Sequence, residues 1–283
     1  MQTLVTVTCT RDKWFMVLQS YSIDRFVIDP CIHFVIIEDG DTTFLEWKKL
    51  LSPFYKKHAL VLLDKNISPS LYPICGYQEN MQGWQRQQLL KLNSSKLVNS
   101  EDYLNLDTKD IFVKECFASS FNKEGNDQVF YLDGQINLPE GFRNWIEQTS
   151  TYTGIAVPDK FWGFESPFLF KTEKVLKMIS GINVEELFLK VHNFQSEYLL
   201  YRFFTDEPLS NELPRTKRFM HPADYKSLSY LQDIYNREQT VIFTIHRKSL
   251  AHSTECILNF FISINFPHAL VHKAISTAAY WHQ

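Results

Sequence analysis

The sequence predicts an α/β fold: a mostly parallel, Rossmann-like sheet flanked by helices. Three observations carry this expectation. Short β-branched runs alternate with longer segments whose apolar residues recur at helical spacing. The strand runs are apolar along almost their whole length, as in strands covered on both faces. And 283 residues, 45% hydrophobic and 15% aromatic with only nine glycines, suffice for one large core and argue against disorder.

The elements follow in order. LVTVTCT from Leu4 is a strand, and DKWFMVLQSYSIDRF from Asp12 a helix. IHFVIIED from Ile32 is a second strand, Phe44 to Leu51 a helix, and HALVLLD from His58 a third strand. Thr10 and Asp41 make sensible N-caps for the two helices. GWQRQQLLKLNSSKLV from Gly83 reads as a helix leading directly into the strand of DYLNLDTKD. Right-handed crossovers between these strands give a doubly wound arrangement over the first 115 residues.

After Glu115 the rhythm changes. QVFYLDG and ESPFLFK suggest short strands, and PEGFRNWIEQTS a helix starting near Pro139. From Asn183, NVEELFLKVHNFQSEYLLYRFF is a long helical stretch with a break near Asn193. EPLSNELPRTKRFMHP from Glu207 carries three prolines and reads as a mobile flap. TVIFTIHRKS from Thr240 supplies the last clear strand before an amphipathic tail.

Several classes are excluded. A formal net charge of −3 does not suit a general nucleic-acid binder. Five scattered cysteines without CxxC spacing point to reduced thiols and away from zinc, and His192, His221 and His252 are not nominated as metal ligands. No P-loop or GxGxxG follows the first strand, where TCTRDKW stands instead, so Rossmann dehydrogenases and P-loop enzymes drop out. The start carries no basic leader and long apolar run, and no window reaches the roughly 20 apolar residues of a membrane span. The expected location is the cytoplasm, with peripheral attachment to the inner face of the membrane left open.

The chemistry centres on LNLDTKDIFVKE. Asp107 stands where a strand leaves the sheet, the place where open α/β folds hold ligands. The segments LVTVTCTRDKW, HFVIIED, GWQRQQLLKL, DYLNLDTKDIFVKE, SEYLLYRFF and VIFTIHRKS, in that order, resemble the GT-A-type glycosyltransferases, and most of all a bacterial glycosyltransferase-like family. The resemblance covers residue 3 to about residue 250. It implies a GT-A-like domain with residues 1–115 as its donor-binding half and 116–283 as its acceptor-binding half. It also implies transfer of a sugar from a diphosphate-activated donor, in all expectation a nucleotide sugar, to a glycan or lipid-linked acceptor, as in bacterial surface polysaccharide synthesis. A non-catalytic binding module of the same fold, or a transferase using another sugar diphosphate such as phosphoribosyl diphosphate, are the rivals.

The chain departs from the family's DxD motif, because Lys109 occupies the place of the second aspartate and Asp110 is one residue out of register. Two arrangements satisfy this. A bend after Thr108 brings Asp107 and Asp110 onto one Mg²⁺ or Mn²⁺, or else the Lys109 ammonium meets the diphosphate directly and replaces the metal. The second is favoured, since a cation beside two carboxylates opposes a divalent ion. The plain alternative is a surface ion pair of Lys109 with Asp107 or Asp110.

Other candidates surround this centre. Arg86 and Lys91, with Gln87, lie on the polar side of an otherwise apolar helix and suit a diphosphate, or are simply a solvated face. Trp84 is core or a stacking wall. Under the resemblance, Thr8, Thr10 and Arg11 meet the donor base or ribose. Asp39, ending the second strand, is an acceptor for the same groups. Glu197 begins an apolar helix beside Tyr198 and Tyr201 and is a candidate base for the acceptor hydroxyl or ligand of its sugar ring, or else an ordinary surface or capping residue. His246 and Arg247 end the last strand, the histidine suited to proton transfer and the arginine to phosphate.

Overall fold

The computed structural model describes residues 1–38, 43–72, 81–122, 140–157, 166–190, 197–205, 216–219, 227–237, 241–245 and 247–280. Strands β1 (Gln2–Thr8), β2 (Cys31–Ile37), β3 (Ala59–Leu63) and β4 (Asp102–Asp107) run parallel, and β6 (Phe168–Lys171) adds an antiparallel edge, in the order β3-β2-β1-β4-β6. A second sheet has the order β5-β8-β7, from β5 (Asp110–Phe112), β7 (Thr216–Phe219) and β8 (Ile242–Ile245).

Helices cover both faces of the larger sheet, so the strands are apolar in both directions. On one face, Leu4, Leu104 and Leu106 pack with α1 (Lys13–Phe26), α9 (Arg247–Ser263) and α10 (His268–Tyr280) through Phe15, Phe261 and Val271. On the other, Val5, Val7 and Tyr103 meet α3 (Gly83–Asn93), α5 (Thr172–Gly181) and α7 (Glu197–Phe204) through Leu90, Val175 and Tyr201. A smaller cluster holds α2 (Phe44–Leu51) to α1 and β2, with Trp47 fully buried beside Met16 and Ile37. Burying a side chain of that size is worth roughly 2–3 kcal/mol. Helices α4 (Glu140–Thr153), α6 (Val184–Lys190) and α8 (Leu228–Arg237) complete the described set.

The sequence expectations for β1 to β4, β6, β8 and the first four helices agree with these elements. The N-cap of α2 is Thr43, which closes a capping box with Glu46, and that of α1 is Asp12, with Thr10 opening a 3-10 turn. Within the expected flap, Thr216–Phe219 is strand β7, paired in parallel with β8, and the rest of that segment lies outside the described residues. Of the long helical stretch from Asn183, α6 and α7 are described, and the expected break near Asn193 lies outside the described residues. QVFYLDG lies outside the described residues. Among those residues no helix is long and apolar enough to cross a membrane.

Chain order fixes where a ligand fits. β1 connects to β2 on one side, while β4 lies on its other side, so the direction of winding switches between β1 and β4. Crossovers leave in opposite directions there and open a crevice beyond the strand C-termini. Val7 and Asp107 are register partners at that point.

Candidate functional site

The period of two along β4 places Tyr103, Asn105 and Asp107 on the face toward α3 and α7. Asn105 donates to the Tyr198 hydroxyl at 2.9 Å, and Asp107, last in the strand, emerges into the crevice with 48% of its side chain exposed. Lys91 reaches it from α3. Its Nζ donates to Asp107 Oδ1 at 2.7 Å and to Glu197 Oε1 at 2.9 Å, 5.4 Å from the centre of the Tyr198 ring.

Lys91 is buried, which works against its charge, but the two carboxylates outweigh this and push its pKa well above the ordinary lysine value. Desolvation likewise opposes ionisation of Asp107. Lys91, with help from Lys109 and a Ser166 hydrogen bond, overcomes it and holds that carboxyl below the usual range. Glu197 is only 1% exposed, and burial leaves its pKa raised despite Lys91. The shift favours the ionised form of Asp107 and makes it a hydrogen-bond acceptor rather than a proton acceptor. Among the described residues Glu197 pairs with Lys91, which gives it the part of holding that lysine. The expected base for the acceptor hydroxyl is thus a buried carboxylate in this structure, turned to Lys91.

Lys109 and Arg86 are also engaged. Lys109 pairs with Asp12 at 3.4 Å, not with Asp107 or Asp110. Arg86 holds Glu38 through Nε at 2.9 Å and its terminal nitrogen at 2.8 Å, and Gln87 donates to the same carboxylate at 3.3 Å. Arg86, the candidate phosphate ligand, thus stands in an ion pair across the ends of α3 and β2. A Cβ added at Gly83 would come to 3.4 Å from Glu38 Oε1, so the start of α3 packs closely on that acid.

The bend after Thr108 is present, but Asp110 is fully buried. One of its oxygens accepts the Asp107 backbone N–H at 2.8 Å, and the other accepts the Thr244 hydroxyl. Its carboxylate is committed to the turn, so a divalent ion shared by Asp107 and Asp110 does not fit this geometry. Among the described residues no group of three or more His, Cys, Asp or Glu side chains is placed to hold a metal.

Thr8 is fully buried, and its hydroxyl has no hydrogen-bond partner among the described residues; Thr10 is partly buried and Arg11 exposed. Trp84 is 41% exposed, so it is not core. At seven residues before Lys91 it shares that residue's helix face, about two turns nearer the rim. Asp39 and His246 lie outside the described residues, and Arg247 opens α9 with its side chain outside them. Sequence reasoning missed Glu38, Asp12, Ser166 and Gln19. For Glu38 the signal was available: β2 ends at Ile37, which makes Glu38 the first residue beyond the strand.

The architecture is that of the GT-A-type glycosyltransferases. Solved structures of similar fold include mouse xyloside xylosyltransferase 1 in its apo form, 12% identical over 86% of this chain and 97% of that one, with a TM-score of 0.51. Galactosyltransferase LgtC, in complex with donor and acceptor sugar analogs, is 11% identical over 98% of this chain and 96% of its own, with a TM-score of 0.51. The apo form of the glycosyltransferase GlyE of Streptococcus pneumoniae is 12% identical over 98% of this chain and 64% of its own, with a TM-score of 0.52. At such identities the likeness concerns the fold. By sequence the chain belongs to the family of unknown function DUF6492, whose model matches residues 13–241. No curated protein matches it.

Proposed function

We propose that this chain is a glycosyltransferase that moves a sugar from a nucleotide-diphosphate donor to a glycan or lipid-linked acceptor. Surface polysaccharide synthesis, at the inner face of a bacterial membrane, is the setting this reading implies. The observation that carries it is the ionised, half-open Asp107 at the switch point, fixed by a buried lysine and a second carboxylate. A fixed negative acceptor there is suited to hold hydroxyl groups of the donor and orient its anomeric carbon in the crevice. Lys91 and Glu197 position Asp107, and Trp84 offers a flat wall at the rim. The first 115 residues supply the donor side and the remainder the acceptor side. Asp110 is engaged in its turn and Lys109 with Asp12, which favours Arg247, at the start of α9, for the diphosphate charge.

The test is release of nucleoside diphosphate from a panel of UDP-, GDP- and dTDP-sugars by the full chain, with and without a glycan acceptor. Acceptor-stimulated release from one donor is expected, and no release from any would contradict the reading. One observation favours a second reading, a non-catalytic nucleotide- or sugar-binding module: Lys91, Lys109 and Arg86 are each matched by an acid. Calorimetric binding of a donor without turnover would decide for that module.

A further inference from the structure

The turn that carries Asp107 is held from below by one carboxamide. Gln19, in the middle of α1 and fully buried, lies on the opposite side of the sheet from Lys91. Its Nε2 donates to the Asp107 carbonyl at 2.6 Å and to the Asp110 carbonyl at 2.9 Å. Both amide hydrogens are thereby used, which fixes Oε1 as an acceptor, and it takes the Thr6 hydroxyl at 2.9 Å. Thr6 in turn accepts from His33 Nε2 at 2.9 Å, leaving His33 Nδ1 to accept the Tyr55 hydroxyl at 2.7 Å. This chain of donors permits only one orientation of the amide. Rotated by half a turn, its oxygen would face two carbonyl oxygens.

The sequence of the turn, Asp107-Thr108-Lys109-Asp110, has neither glycine nor proline to fix its shape. Side chains do so instead: Asp110 takes the Asp107 N–H, Thr108 donates to the Val7 carbonyl at 3.2 Å, and Gln19 ties the two ends together. Glutamate at this position would present acceptors to acceptors, and asparagine would fall one methylene short. We propose that Gln19 is a positioning residue of the crevice, setting where β4 ends and so where the Asp107 carboxylate stands relative to Lys91. The importance of that placement for sugar transfer rests on the function proposed above; the clamp itself does not.

Two measurements on the full chain test it without substrate. In Gln19→Met, hydrogen exchange at the Asp107 amide is expected to quicken at least tenfold, while the Phe34 and Val35 amides of β2 keep their protection. In denaturant unfolding, Gln19→Met combined with Asp107→Asn is expected to weaken the folding equilibrium at least threefold less than the product of the two single effects, as for sites that share one contact network. A side chain that merely fills space would leave the two effects multiplicative. Unchanged exchange, or effects multiplicative within twofold, overturns the proposal. If Gln19→Met does not fold, Gln19→Asn takes its place in both arms. A third arm reads the donor found in the panel: KM is expected to rise at least tenfold with kcat within threefold. A wild-type chain that turns over no donor sinks the transferase reading and leaves the first two arms to decide the clamp.

Discussion

The two faces of the central strands carry polar groups of opposite kinds. Toward α3 and α7 stands a charged trio, Asp107, Lys91 and Glu197, one member of which is open to the crevice. Toward α1 stands a closed neutral chain, Gln19, Thr6, His33 and Tyr55, with Tyr55 also 3.0 Å from Ser20. Charges in a partly dry site stay available to a ligand only if a neighbour holds them in place, whereas neutral hydrogen bonds fix geometry without a net field. The difference assigns ligand contact to the first face and support to the second. Both act on the same few residues at the end of β4.

Removing the lysine should break the charged face most severely. Lys91→Met leaves Glu197 buried without its cation, a change worth roughly 3–5 kcal/mol. Denaturant unfolding near pH 7 reads that loss, and Glu197→Gln in the same chain should restore most of it. Equal stability of Lys91→Met and the native protein would show that the trio is not coupled.

The neutral face should announce itself through pH. Burial, with His58 nearby, lowers the His33 pKa to about 3 from an ordinary 6.5. The unfolded chain then binds a proton that the native state refuses. Stability from His33 is complete above about pH 6.5 and falls by roughly 1.4 kcal/mol per unit as pH drops toward 3. His58, also lowered, slopes the same way, while Asp107, held below its usual value, loses its share only at still more acid pH. His33→Gln should therefore cut the slope between pH 4 and 6 by about one proton, and an unchanged slope would mean that His33 titrates in the fold.

The smallest effects concern groups that sequence analysis placed at the centre. Lys109→Met removes a partner of Asp12 and a remote influence on Asp107, so donor turnover should fall by less than about tenfold. Chelator should change turnover by less than twofold, because Asp110 is committed to its turn; a large loss would show that Asp107 recruits a metal with other ligands.

Much of the fold was legible in the sequence because its signals are local. Apolar runs such as LVTVT and CIHFVII mark buried parallel strands, whereas the α2 cap, read at Asp41, is Thr43 closing a capping box with Glu46. β7 was not legible, since TKRF has no apolar alternation and gains its strand form by pairing with β8. The site was half legible. Asp107 and Lys91 stood out as a strand end and a polar position in an apolar helix. Which acid each cation meets depends on sheet order: Lys91 finds Glu197 across 106 residues of chain, and Lys109 goes back to Asp12 beside β1. Local patterns hold no record of such encounters. Gln19 had no distinguishing signal, being one of three polar residues that α1 buries, with Ser20 and Ser22.

One strand offers its own control. β4 begins with Asp102, which accepts from Gln2 at 3.3 Å and pairs with Lys171 at 3.5 Å, and it ends with Asp107 in the crevice. Turnover of the best nucleotide-sugar donor should be compared in Asp107→Asn and Asp102→Asn, each verified as folded. A ligand site at the switch point predicts a fall in kcat/KM of about a hundredfold or more for Asp107→Asn, and of less than threefold for Asp102→Asn. Equal effects at the two ends, or none at Asp107, would contradict it.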